Sequence, residues 1–307
     1  MVKVSKDMIK TLILGGSGFV GTHMLARSPD WSKTTVVGRE VDIRNKETLG
    51  SLIERIQPDY VVNLAAITTV KETAVSPKDS YDISFYGTLN ILEILRDSEF
   101  QGTFLYVSSS EVYGHPAVAI LPLNENSILA PMSPYSVGKI AAEYLCSYWQ
   151  KANNFKIIVA RPFTHIGPGQ SGRFSIASFS RQISKIVQGE QDPVIQVGDL
   201  NTTRDFTDVR DIVDAYWLLL DSGKSGEIYN VCSGKENKIS SVLKKLVAAS
   251  GQNIAIKIDS DRLRNVEQQR VVGSAQKLRE ATGWVPKITL EDTLVDMLNH
   301  CLNNDPE

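Results

Sequence analysis

Cysteine and histidine are scarce in this chain, and their scarcity narrows its chemistry. Among 307 residues there are three cysteines, Cys146, Cys232 and Cys301, far apart and without CxxC spacing. They form neither a disulfide framework nor a thiolate zinc site, so a reducing, cytoplasmic setting is expected. His23 and His300 show no metal-ligand spacing, and no metal is expected. A field of one sign is also missing: 33 Lys plus Arg oppose 35 Asp plus Glu, a net charge of −2. That balance draws in neither nucleic acid nor an anionic membrane. No apolar run approaches the roughly 20 residues that span a bilayer. The opening MVKVSKDMIK is basic like the start of a signal peptide, but TLIL before GGSG is too short for an apolar core. No leader is therefore expected, and Met8 is an alternative start. Repeats, heptads and low-complexity tracts are absent. With 42% hydrophobic and 22% charged residues, the composition is that of a folded globular protein.

What is present is alternation. Residues 9–14, 34–37, 59–65, 103–108 and 155–160 are short, apolar and β-branched, as strands covered on both faces must be. Between them lie helix-length segments at 18–27, 46–56, 78–97 and 134–152. The order predicts an α/β fold with a doubly wound parallel sheet and helices on both faces. After Arg161 the texture changes to a Gly-rich loop, helices near 174–188, 209–220, 240–249 and 290–302, and short strands near 194–197, 227–231 and 254–258. This predicts a smaller mixed α/β lobe over 166–307, against a domain over 1–165 that receives sheet contributions from about 200–235.

GGSGFVG follows the first strand directly. Gly15 suits a tight turn, Gly18 the close approach of a diphosphate, and Gly21 the packing of helix on strand. The helix that follows offers its positive end to the phosphates. A merely structural turn is the competing reading, and the strand-before, helix-after context favours a dinucleotide. At the end of the second strand, Arg39 suits the 2′-phosphate of NADP while Glu40 suits the ribose hydroxyls of NAD. NADP(H) is favoured and NAD(H) stays open. Asp42 and Ile43 suit contact with adenine.

Ser108, Ser109, Ser110 and Glu111 end the strand TFLYVS, where open α/β sheets place their ligands. Further on, Tyr135 and Lys139 form YSVGK, an i, i+4 pair on one helix face. A phenol is a poor acid–base group near neutrality, and a nearby ammonium lowers its pKa. Such a tyrosine can exchange a proton with a carbonyl that a serine hydroxyl holds. A lone YxxxK is usually a surface pair, but here it accompanies the glycine loop and the serine-ended strand. His23 and His300 read as structural, and His165 as either a ligand contact or a loop brace.

GGSGFVG, NLAA, SSSEVYG, SPYSVGK, RPFTHIGPGQ, RDFTDVRD and GWVP together resemble the extended short-chain dehydrogenase/reductases of the nucleotide-sugar epimerase/dehydratase branch, over nearly the whole chain. The resemblance implies a Rossmann-like fold, a homodimer and a nucleotide-sugar substrate. PMSPYSVGK, HIGPGQ, VGDL and YNVCSG are most similar to the reductases of GDP-linked 4-keto-6-deoxy sugars, which form GDP-D-rhamnose. It implies that Tyr135 donates the proton, that Lys139 lowers the Tyr135 pKa and holds ribose, and that Ser109 binds the keto oxygen. Gly15, Ser17, Gly18, Phe19, Val20, Gly21, Arg39, Asp42, Ile43, Leu64, Ala65, Ala66, Tyr135, Lys139 and Pro162 are then the cofactor-binding residues. Ser110, Thr164, Arg173, Val197, Arg204, Arg264 and Glu267 are the substrate-binding ones. The family usually has Asn at Thr164 and Ser84, Pro at Asn265 and Asp at Ser274. Glu111 matches the base of sugar 4,6-dehydratases, so that reaction stays open, followed by 4-epimerisation and by cofactor binding without catalysis. HIGPGQSGRFSIASFSRQI favours the reductase, since it lacks the basic stretch of GDP-mannose dehydratases.

Overall fold

The structure, a computed structural model, describes residues 8–68, 70–116, 120–263 and 268–304. The first half runs β1 (Ile9–Leu14), α1 (Phe19–Ala26), β2 (Ser32–Val37), α2 (Lys46–Ile56), β3 (Tyr60–Asn63), α3 (Val70–Val75), α4 (Pro77–Tyr81), α5 (Thr88–Asp97), β4 (Thr103–Val107), α6 (Pro134–Ala152) and β5 (Lys156–Pro162). There follow β6 (His165–Ile166), α7 (Ser175–Val187), β7 (Val194–Val197), β8 (Thr203–Asp205), β9 (Thr207–Asp208), α8 (Val209–Ser222) and β10 (Ile228–Val231). The chain ends with β11 (Glu236–Lys238), α9 (Ile239–Ser250), β12 (Ala255–Ile258), α10 (Gln276–Thr282) and α11 (Leu290–Asn303).

One parallel sheet has the order β10-β5-β4-β3-β1-β2, as the alternation predicts. Its strands are apolar along their length because both faces are covered. Leu12 and Leu14 pack on one side with α2, α5 and α6, while Ile13 packs on the other with α8. From β1 the chain steps outward to β2, then returns to the opposite side of β1 as β3. The crevice beyond the carboxyl ends of β1 and β3 is thus the place where such sheets take ligands.

Residues 78–97 do not form the single α-helix expected. Between α4 and α5, residues Asp82–Gly87 make a π-helical segment. There buried Ser84 faces Gly138 of α6, whose Cβ, if it had one, would lie 3.1 Å from that of Ser84. An i→i+5 turn carries no periodicity of its own that a sequence can betray.

A second core gathers Ile176, Phe179 and Ile183 of α7, Val242 and Leu246 of α9, and Leu294 and Leu298 of α11. Between the two cores, three aspartates of RDFTDVRD act as latches. Asp205 accepts from Ser233 N (2.9 Å), Ser233 Oγ (2.5 Å), Gly234 N (3.0 Å) and Gly273 N (3.1 Å). Asp208 caps α8 through Arg210 N (2.8 Å) and takes Thr293 Oγ1 of α11 (2.7 Å). Asp211 accepts from Lys287 N and Ile288 N, while its carbonyl takes Trp284 Nε1. Each carboxylate thus takes at least one donor brought from far along the chain.

Candidate active site

The glycine turn is built as its spacing predicts. Gly15 has φ +73°, and a Cβ there would stand 2.6 Å from the Ala65 backbone. A Cβ on Gly21 would stand 2.2 Å from the Gly16 carbonyl, so helix and turn touch only through bare backbone. Gly18 differs: a Cβ would meet only the Gly15 carbonyl, at an ordinary 3.5 Å. Ser17 and Gly18 are exposed, and no side chain caps α1, where Phe19 and Val20 open the helix. Open space before uncapped helical N–H groups fits the diphosphate of a dinucleotide. Leu64, Ala65 and Ala66 lie half-buried beside this turn, and Asn63 shapes them by accepting from Ala65 N (3.0 Å).

At the end of β2 stand the two ribose-side candidates, both exposed. Glu40 folds back, its carboxylate accepting from Gly38 N (2.6 Å), which holds it below the ordinary carboxyl range. It is therefore engaged locally rather than offered to a ribose. Arg39 is exposed beside it. The Asp42 carboxylate chelates Arg44 through Nη2 (2.6 Å), Nε and N. Ile43 is buried in the core against Gly87.

Helix α6 is placed by a reciprocal cap: Ser133 Oγ accepts from Ser136 N and Ser136 Oγ from Ser133 N, both at 3.1 Å, with Pro134 opening the helix. This register sets Tyr135, Lys139 and Glu143 on one face. Ser109 caps a 3-10 turn over Ser110–Tyr113, accepting from Glu111 N (3.2 Å), and lies near enough to the Tyr135 phenol to act on its pKa. Ser109, Tyr135 and Lys139 thus meet where they were expected to. Pro162 is buried at the end of β5, and half-buried Ser109 stands above buried Ser110.

The expected depression of the phenol does not appear. Lys139 Nζ donates to the Val107 carbonyl (2.7 Å) and stands 5.7 Å from the Tyr135 ring centroid, over the Tyr106 ring. Burial pushes Tyr135 up to about 12, the Glu111 charge adds to the rise, and Ser109 opposes it. Burial lowers Lys139 to about 8, against the attraction of Glu143.

Arg161 lies near the end of β5 and turns its side chain inward. Its Nη2 and Nε bind the Glu143 carboxylate (2.6 and 3.0 Å), both residues being almost wholly buried. Its Nη1 donates to Tyr113 Oη (2.9 Å), and that hydroxyl donates to Asn230 Oδ1 (2.7 Å). Ser108 Oγ donates to Glu143 Oε1, the oxygen that also takes Arg161 Nε. This cluster escaped the sequence, where Glu143 resembles one more charge on a helix. Its signal was the continuing i+4 interval from Tyr135 through Lys139.

The lobe candidates scatter. Val197 is buried in the lobe core. Arg173 pairs with Glu72 of α3. Thr164 is half-buried, its carbonyl held by Thr207 N (3.0 Å). Arg204 Nη1 donates to the Thr203 and Gln268 carbonyls, both at 2.8 Å. Ser274, where Asp is usual, still accepts from Gln276 N (3.4 Å). Arg264 and Glu267 lie outside the described residues. His165 sends Nδ1 to the Phe163 carbonyl (2.9 Å) and stacks on Phe19, which braces the loop against α1.

A parallel α/β sheet with an open glycine turn and a Ser–Tyr–Lys group at the strand ends defines a Rossmann-type short-chain dehydrogenase/reductase. The family model described as GDP-mannose 4,6 dehydratase matches residues 25–297. The chain is 42% identical to GDP-6-deoxy-D-mannose reductase of Pseudomonas aeruginosa, covering 94% of this chain and 96% of that one. It is 28% identical to GDP-mannose 4,6-dehydratase sdnI of Sordaria araneosa, covering 84% of this chain and 50% of the other. The solved structure of RMD from Pseudomonas aeruginosa complexed with NADPH superposes with a TM-score of 0.90 at 41% identity, over 96% of this chain and 99% of that one. The chain belongs to the GDP-mannose 4,6-dehydratase family of nucleotide-sugar enzymes.

Proposed function

We propose that this chain reduces the C4 ketone of a GDP-linked 4-keto-6-deoxy sugar with NADPH, converting GDP-4-keto-6-deoxy-D-mannose or a close analogue to GDP-D-rhamnose or its counterpart. The meeting of Ser109, Tyr135 and Lys139 at the carboxyl ends of the strands carries the reading. NADPH supplies the hydride. Ser109 orients the keto oxygen, and the Tyr135 phenol protonates it. A phenol at about 12 is fully protonated near neutrality, which is the form a reduction consumes. The Lys139 ammonium, 5.7 Å from the ring centroid, stabilises the phenolate that remains.

NADP is preferred because Arg39 is the exposed cation at the ribose position while Glu40 is folded onto Gly38. The reductase of Pseudomonas aeruginosa, seen with NADPH, supports the same choice. Ser110, Thr164, Arg173 and Arg204 face the sugar nucleotide, and residues 166–307, apart from the part of 200–235 that joins the sheet, form its lobe. Val137, Tyr144 and Tyr148 make an exposed stripe on α6 beside Tyr86, the seam of a homodimer. No helix of the described residues is long and apolar enough to cross a membrane. Among them all three cysteines are free thiols, which accords with a cytoplasmic setting.

The test is nicotinamide absorbance with the purified protein. GDP-4-keto-6-deoxymannose should consume NADPH one for one, and Tyr135→Phe should lower the rate by about 10²–10⁴-fold, the usual worth of a positioned acid. Conversion of GDP-mannose without net cofactor consumption would establish the dehydratase instead. Cofactor binding with no turnover of any nucleotide sugar would establish a binding protein.

A further inference from the structure

We propose that Glu143 is a positioning residue of the reaction: through Ser108 and Arg161 its buried carboxylate fixes the strand end that carries Ser109 against the helix that carries Tyr135. The proposal rests on the reductase reading. Glu143 and Arg161 keep only 4% and 2% of their side-chain surface. A buried pair is poor value for stability alone, since well-packed apolar replacements are often neutral or better. Its place in the fold explains it better. Ser108, which donates to Glu143, is the covalent neighbour of Ser109. Tyr113, which accepts from Arg161, closes the 3-10 turn that Ser109 caps. Glu143 itself stands two helical turns beyond Tyr135 and one beyond Lys139. Asn230 of β10 anchors the cluster by accepting from Tyr113 Oη and donating to the Leu123 carbonyl (3.1 Å). The strand end, the helix and the turn that carry the site therefore share one carboxylate.

The same carboxylate acts on Lys139 through space. From its own helix Lys139 faces Glu143, Tyr135 and Cys146; from β4 it faces the Tyr106 ring and the Val107 carbonyl. From β5 the Arg161 charge is spent on Glu143. On the 3-10 turn, Glu111 acts on Tyr135. With Glu143 neutral, burial of the ammonium loses its main opponent, and Lys139 gives up its proton at lower pH.

Two variants test this. Glu143→Gln should lower kcat at least about tenfold, leave both KM values within about twofold, and move the alkaline limb of the kcat profile down by about one pH unit. That variant leaves Arg161 buried without its counter-ion and so loses stability. The double variant Glu143→Leu/Arg161→Met should regain the stability but stay at least about tenfold slow. A stably folded double variant at the wild-type rate overturns the proposal, as does Glu143→Gln with an unmoved limb. Wild-type protein that oxidises no NADPH with any nucleotide-sugar ketone refutes the reductase reading, and the proposal with it.

Discussion

Replacing Lys139 by methionine is expected to stabilise the fold while ending its activity. The ammonium is almost completely buried, and burial draws its pKa from the ordinary 10.5 to about 8. At about 1.4 kcal/mol per unit, that displacement corresponds to a penalty of about 3 kcal/mol wherever the folded protein must keep the charge. Methionine fills nearly the same volume without a charge. It also orphans the Val107 carbonyl, which lies 2.7 Å from Nζ, at a cost of about 1–3 kcal/mol. The net gain at neutral pH is then about 1 kcal/mol. The pH dependence is the sharper signature. The lowered pKa means that the unfolded chain binds more protons between about pH 8 and 10.5, so the wild-type penalty is full below pH 8 and fades above it. Urea unfolding of both proteins at about pH 6.5 and 9.5 should show wild type gaining about 2 kcal/mol on the variant across that interval. A gap that does not change with pH refutes the claim that Lys139 is held as a destabilised cation.

Two further predictions concern the cofactor and the latches. Arg39→Ser should weaken NADPH binding by about 10–100-fold and leave NADH binding nearly unchanged, since a charged hydrogen bond is worth about 1.5–3 kcal/mol. Fluorescence titration with both nucleotides reads this, and equal losses for the two would reject the 2′-phosphate contact. Asp205→Ala deprives Ser233 N, Gly234 N and Gly273 N of their acceptor. It should cost about 3–5 kcal/mol in urea unfolding; a loss below about 1 kcal/mol would mean that the latch is dispensable.

The sheet was legible because its strands are buried on both faces, so apolar runs such as TLIL and TFLYV announce themselves without alternation. The glycine turn was legible because each glycine answers a different steric demand, and so was the Ser109–Tyr135–Lys139 group, because it follows strand ends and helix spacing. The sequence misled where a side chain's partner lies far along the chain. Arg161 looked like part of a ligand loop, yet its partner Glu143 turns it into the interior. The phenol shift failed for a related reason: i, i+4 spacing places Lys139 near Tyr135 but does not aim its ammonium, which the Val107 carbonyl captures.

The central claim is that hydride goes to C4 of the sugar and stays there. NADPH deuterated at the transferable position, incubated with GDP-4-keto-6-deoxymannose, should place one deuterium on C4 of the product for each cofactor oxidised. Wild-type protein that starts instead from GDP-mannose, moves its own C4 hydrogen to C6 and leaves the cofactor pool unchanged would contradict the account.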